Sequence, residues 1–429
     1  MTKIEKVTFG TLCAAVVAVG LWWRLGIIAL CTLCAVSLFK TIYTKTKTTL
    51  RQAQGNSQLT TLNSQLLTPQ RLCLWAMVAY WVLYAVSGSI STDYSDGWYT
   101  AVIKLYFLAL PLCCLLADTS YLTSHRIKFL FQVFTATLLL RFVACLIVSG
   151  IQLLQGLPLA QVKDWQMDPL GMHHNYLALY IDTAIAYLYT LVVYTPKASR
   201  RKQWPLLFTA IVLLVAYLFL ISSRSGIVSL LLMFIAVLCH IIFFHKKYKT
   251  GLAIAVMSLT LVAGLYLAAP SVFSRFCALT HWTENYYPDD RVIAWICGLN
   301  ATHGHLVFGY GSGDYMPHLV QSFEDFGYQR AIDNGYNTHC QYIETLLETG
   351  IVGLVFFLLM LFAPLITALS KRHRSLMTVL TVIVVATMNI FEVMYNRQMG
   401  TQFISLVYCL LILSMSRTVN LSPSRSDAS

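Results

Sequence analysis

The sequence predicts an all-α polytopic membrane protein with about twelve transmembrane helices and one large loop domain on the non-cytoplasmic side. Composition is the first reason: 57% of the 429 residues are hydrophobic and only 11% are charged, too apolar a balance for a soluble domain. Spacing is the second. Apolar windows near 20 residues, long enough to cross a hydrocarbon core about 30 Å thick, recur at roughly 7–22, 25–40, 71–90, 99–117, 129–151, 174–194, 204–222, 226–244, 251–269, 350–369, 375–391 and 400–416.

The placement of basic residues is the third reason. Lys40, Lys45, Lys47 and Arg51 share one connection, Arg126 and Lys128 the second next, and the runs beginning at Lys197, Lys246 and Lys371 follow on alternate loops. By the positive-inside rule these loops and both termini are cytoplasmic. Topology thus accounts for short basic clusters beside spans, and no nucleic-acid partner is expected. The chain divides into nine helices over 1–269, a loop domain over 270–349, three helices over 350–416 and a cytoplasmic tail over 417–429.

Taken in order, the first apolar run follows Lys3 and Lys6 like a signal peptide. Trp22-Trp23-Arg24 and a second apolar run come next, which predicts a retained helical hairpin. The Thr-, Gln- and Ser-rich stretch 41–70 reads as a cytoplasmic linker. Most of the 12 cysteines fall inside predicted helices, where cysteine packs as a small hydrophobe. Cys31-x-x-Cys34 has no second pair or spaced histidines that would mark a metal site, while Cys277 and Cys297 could form a disulfide in an oxidising compartment. Lys104, Arg141 and Asp182 fall in or near spans, where charges need a partner, and Asp182 could pair with Arg141.

The residues able to carry chemistry cluster on one side. Arg224, in Ser222-Ser223-Arg224-Ser225-Gly226, interrupts the positive-inside pattern. It reads either as a snorkelling interfacial cation or as a ligand for an anion. Arg291 follows Pro288-Asp289-Asp290 and opens an apolar helical face through Trp295 and Leu299. Asp289 or Asp290 is most simply the helix cap, with a divalent-cation site as the alternative. Phe308-Gly309-Tyr310-Gly311-Ser312-Gly313 lacks the strand and Gly-Lys-Ser/Thr of a nucleotide loop, so its glycines read as sharp turns near a ligand. His339, in Asn337-Thr338-His339-Cys340-Gln341-Tyr342, is the candidate proton acceptor, set at the start of a helix that packs through Gly350 and Gly353.

Taken together, Arg291-x3-Trp295, Phe308-Gly-Tyr-Gly311-Ser-Gly313 and His339-x2-Tyr342-Ile343-x4-Glu348-x-Gly350 resemble the O-antigen ligase/polymerase superfamily of bacterial membrane glycosyltransferases. The stretch around His174 and Asn175 resembles an earlier Asn-containing segment of that family, and the likeness covers roughly 165–400. The resemblance implies a GT-C-type fold in the bacterial inner membrane with its site at the periplasmic face. It implies an O-antigen ligase that transfers a polysaccharide from undecaprenyl diphosphate to a lipid A-core acceptor. Arg224 and Arg291 would bind the diphosphate and His339 would act on the acceptor. Arg397 would be a further cation, with Tyr342, Gln341, Asn337, Gly311, His174 and Asn175 as substrate-binding candidates. No metal or other cofactor is expected. O-antigen polymerase, a protein O-oligosaccharyltransferase and a lipid-linked glycan transporter are the competing readings.

Overall fold

The computed structural model describes residues 1–52, 68–157, 172–221, 223–244, 246, 248, 290–370 and 375–416. Its helices are α1 (Lys3–Leu21), α2 (Trp23–Gln52), α3 (Pro69–Ile90), α4 (Tyr94–Ile103), α5 (Tyr106–Leu116), α6 (Ser124–Leu154), α7 (His174–Tyr194), α8 (Lys197–Leu220) and α9 (Arg224–Cys239). They continue with α10 (Asp290–Ala301), α11 (Tyr315–Phe326), α12 (Gln329–Asp333), α13 (Gln341–Leu369), α14 (Leu376–Phe391) and α15 (Gln398–Ser416). The protein is therefore a polytopic α-helical membrane protein. Among the described residues nine helices are long and apolar enough to cross a membrane, or ten if the bent pair α4–α5 is one span.

The expected twelve spans are corrected at two places, and a third lies outside the described residues. The run at 99–117 is not one rod but α4 and α5, bent by 45°. The break falls at Lys104, whose buried ammonium turns inward to Asn396. The run at 375–391 is α14, with 16 residues; at about 1.5 Å per residue it is shorter than the hydrocarbon core. The span expected at 251–269 lies outside the described residues, as do Asp289, Cys277 and the tail 417–429.

Burial locates the centre of the bundle. The membrane windows of α7 and α15 are 72% and 89% buried, against 17% and 22% for the spans formed by α8 and α9, so α7 and α15 form its core. Tyr180 of α7 stacks on Phe403 of α15 at 3.9 Å and donates to the Met399 carbonyl at 2.8 Å. At one end, Lys40 bonds the Asp118 carbonyl and Arg126 that of Tyr121. A second, smaller core is formed by Ile293, Ala294, Cys297, Leu319, Phe323 and Leu347, uniting α10, α11 and α12 with the start of α13.

One break in α13 fixes how this smaller unit sits. Gly350 has φ 66° and ψ −163°, so α13 is two helices merged across a kink. The groups freed there are taken up by the glycine-rich loop. Tyr310 and Gly311 donate to the Leu347 and Glu348 carbonyls at 2.9 and 3.0 Å, while Ile351 and Val352 donate to Leu306 and Val307 at 2.8 and 3.2 Å. A Cβ on Gly350 would overlap the Val307 carbonyl, and one on Gly309 would overlap the backbone of Leu347. These glycines permit a backbone-to-backbone latch. Ser312 and Gly313 extend it to Ser87 and Ser91 at the end of α3 (2.9 and 3.1 Å), and Asp314 accepts from the backbone of Thr92 and Asp93.

Gly350→Ala should thus lower the melting temperature of the detergent-solubilised protein by an amount equivalent to about 2 kcal/mol or more. Gly10→Ala, where nothing lies within 4 Å of the added methyl, should leave it unchanged; equal melting curves for both variants would refute the latch.

Candidate functional site

The site begins with a strained turn. His339 has φ +50°, a left-handed conformation that costs a non-glycine residue about 1–3 kcal/mol and persists only where its surroundings impose it. The surroundings do. Its backbone N–H donates to Asn337 Oδ1 at 2.9 Å, and Cys340 N–H donates to Thr338 Oγ1 at 3.3 Å. Thr338 is in turn held by Glu344 Oε2, through its hydroxyl at 2.8 Å and its N–H at 3.2 Å.

Glu344 is fully buried and reaches further. Its Oε1 accepts from the Tyr315 hydroxyl at 2.7 Å and from Asn396 Nδ2 at 2.9 Å. Lys104 Nζ donates to the other side of the Asn396 amide at 2.9 Å and lies 4.0 Å from Glu348 Oε1, whose second oxygen accepts from Tyr84 at 2.5 Å. Gln341 adds a parallel tie, accepting from Tyr395 N–H at 2.7 Å. One buried polar network thereby sets the His339 turn against the turn that carries Arg397.

The imidazole of His339 meets a carboxylate that the motif reading did not single out. Its Nδ1 lies 3.8 Å from Oε1 of Glu392, just beyond α14, and Tyr336 stands edge-on to the ring at 5.3 Å. Glu392 Oε2 accepts from Asn175 Nδ2 at 2.8 Å, and Asn175 Oδ1 accepts from the hydroxyls of Ser223 and Ser225 at 3.1 and 3.0 Å. Those serines flank Arg224 at the start of α9. Burial raises the Glu392 carboxyl, but His339, the nearby His173 and the Asn175 amide outweigh it and hold the group down at about 2. Burial lowers His173; Glu392 opposes this, while Arg397, Arg291 and His339 reinforce it. The charges of all four therefore act on one imidazole.

Arg291 occupies the first turn of α10. That helix is pinned by Trp295 against Phe391 at 6.1 Å and by the close approach of Gly298 to Thr338 and Ile343. Asp290 is itself helical and pairs with the exposed Arg330 at 3.2 Å, while Asp289 lies outside the described residues. Arg224 is the first residue of α9, behind a Ser223 cap whose hydroxyl accepts from Gly226 N–H at 3.2 Å. Arg397 is exposed where the chain enters α15.

Of the residues expected from sequence, His339 and Asn175 meet at Glu392, Arg291 and Arg397 are near enough for their charges to act on His173, and Arg224 is joined through its serine neighbours. His174 lies beside His173, the ring centroids 4.2 Å apart and the planes tilted by 38°. Tyr342 donates to the Ala386 carbonyl at 3.0 Å, Gln341 is fully buried, and Gly311 belongs to the latch; in this structure they hold the scaffold. Asp182 does not pair with Arg141, which instead donates to the Leu21 carbonyl, while Asp182 lies beside Ser229. Glu392 and Glu344 carried a faint signal, being acids in a chain with only 18, but no periodicity ties either to His339.

Residues 208–358 match the family model described as O-antigen ligase. This stretch contains Arg224, Arg291 and His339 and stops short of Glu392 and Arg397. The resemblance read from the motifs thus stands, and the match supports the O-antigen ligase/polymerase superfamily and, at that coarse level, an enzyme. Among curated proteins nothing matches the chain.

Two outcomes follow from the electrostatics. Glu344→Ala strands the Thr338 N–H, the Tyr315 hydroxyl and the Asn396 amide, so it should destabilise the fold by about 2–5 kcal/mol in detergent melts, with Glu344→Gln recovering part of the loss. Because Glu392 titrates below its ordinary 4.5, its stabilisation is complete above that pH and fades as pH falls toward 2. The melting-temperature gap between wild type and Glu392→Gln should narrow across that interval; a constant gap would contradict it.

Proposed function

We propose that the protein is an O-antigen ligase. It transfers a polysaccharide from undecaprenyl diphosphate to a lipid A-core acceptor, without a metal ion and with inversion at the anomeric carbon. The observation that carries this reading is the His339–Glu392 pair beside His173, on which the charges of Arg291 and Arg397 act, tied through Asn175 to the serines that flank Arg224. In this reading both termini are cytoplasmic, and the loop domain over 270–349 lies at the periplasmic face of the inner membrane, as the alternating basic loops favour.

The chemistry assigns each group a task. The leaving group is a lipid diphosphate that gains negative charge as the glycosidic bond breaks, and guanidinium groups offer it permanently charged, bidentate donors. Glu392 lies on the Nδ1 side of His339, which favours the proton there and leaves the Nε2 lone pair for the acceptor hydroxyl. As that oxygen attacks the anomeric carbon, its proton passes to Nε2 and the bonding pair departs with the diphosphate. Glu392 then stabilises the imidazolium until the proton reaches solvent. A single displacement of this kind forms no glycosyl-enzyme intermediate.

With purified protein, a synthetic undecaprenyl-diphosphate donor and lipid A-core, transfer should resist EDTA. It should fall about 10²–10⁴-fold in His339→Ala, with a loss of similar order in Arg291→Ala. Extension of a second lipid-linked glycan in place of transfer to lipid A-core would make the protein a polymerase, and glycosylated periplasmic protein would make it a protein transferase. Unimpaired activity in His339→Ala, or a retained anomeric configuration, would defeat the mechanism.

A further inference from the structure

A cleft of about 320 Å³ opens on the loop domain, between the end of α10, the turn that follows it and α11. It is separate from the His339 group. Asn300 lies nine residues beyond Arg291 on α10, about 14 Å along the helix. The cleft walls include Asn300, His303, Tyr310, His318, Gln321 and Asp325.

Their arrangement is specific. Tyr310 is fixed by its hydroxyl, which donates to the Ala301 carbonyl at 2.8 Å. Its ring stacks on His305 at 4.2 Å and on His318 at 3.8 Å, with interplanar angles of 24° and 15°. The result is a preorganised stack of three rings, with Tyr310 sandwiched between the imidazoles and the exposed His318 ring as its outer face toward the cleft. Beside it, Gln321 donates to Asp325 Oδ1 at 3.1 Å, setting an amide and a carboxylate together. No lysine or arginine lines the cleft, which argues against a phosphate ligand. Groups that both donate and accept, set beside a planar ring, match the alternating hydroxyls and C–H faces of a pyranose.

The position agrees with the composition. The same turn exposes Leu306, Val307 and Phe308, at 45, 56 and 75%, and its carbonyls bond Ile351 and Val352 at the head of the long apolar part of α13. Ile351 and Val355 continue this outward apolar face, at 49 and 48% exposure. The cleft therefore stands at the membrane surface, the level occupied by the first sugars of a lipid-linked glycan.

We infer that this cleft is a second saccharide-binding site, which holds sugar residues a few units away from the bond that reacts at His339. The inference rests on the glycosyl-transfer reading for its purpose, but not for its test. The saccharide comes from either the donor polymer or the acceptor core, and lipid-free forms of each distinguish the two. Saturation-transfer NMR on the full chain in detergent would be recorded with released O-polysaccharide fragments and with delipidated core oligosaccharide. The wild type and His339→Ala should both transfer saturation to at least one of them. The double variant His318→Ala, Gln321→Ala, at two exposed positions, should melt as the wild type does and weaken binding about tenfold. Signal from the core alone assigns the cleft to the acceptor, and signal from the polymer alone assigns it to the donor. No signal from either saccharide in the wild type, or undiminished binding in the double variant, overturns the inference. Binding lost in the double variant, in a protein that transfers nothing to lipid A-core, would keep the cleft and discard the ligase reaction.

Discussion

A carboxylate withdrawn from water inside a helical bundle must find donors on all sides, and Glu344 finds them in widely separated parts of the chain. Tyr315, Thr338 and Asn396 bond it directly, and Lys104 approaches through Asn396. Each partner is satisfied only if α4, α11, the His339 turn and the segment before α15 arrive in one register. The penalty for a missing donor is that of an unpaired buried polar group, so the network selects one arrangement more than it adds stability. Glu348 and Tyr84 extend the same condition to α3. The positions of His339 and Arg397 follow from it.

The break in α13 serves the same end from the backbone side. A continuous helix would carry its own hydrogen bonds past residue 350 and leave no edge for the loop domain to grip. Gly350, with φ 66°, opens that edge, and residues 306–311 close it from outside. The buried half of α13 before the break bears the carboxylates, while the half after it is the lipid-facing span. A polar network and a membrane span thus share one element without placing a charge in hydrocarbon.

These relations explain what was readable in the sequence. The span at 174–194 coincides with α7, and 350–369 begins at the break in α13, because hydropathy and a glycine mark both. The bend at Lys104 was hidden, since a window average absorbs one charge in an apolar run. His339, Arg291, Arg224 and Arg397 stood out as polar residues in an apolar chain. Glu392 did not, because what distinguishes it is contact: its amide partner Asn175 is 217 residues away, and Ser223 lies a further 48 from Asn175. The glycine-rich motif was legible as turns, but its partner was the protein's own helix.

The site holds charges of both signs, and the proposed reaction develops charge of both signs. α9 and α10 present their N-terminal turns, and with them Arg224 and Arg291, while Arg397 stands at the entry to α15; helix dipoles and guanidiniums together favour an anion. Glu392, for its part, lies 3.8 Å from Nδ1 of His339 and is held ionised by its surroundings. A transition state that builds negative charge on a departing diphosphate and positive charge on an imidazole is stabilised at both ends. The substrate in its ground state, with the proton still on the acceptor and the bond to phosphate intact, gains less from either set. Because the dipoles are fixed by helices and the carboxylate by Asn175, neither has to reorient as the charges form. In the proposed reaction, that difference between ground and transition state, and not the tightness of diphosphate binding alone, is the source of the acceleration.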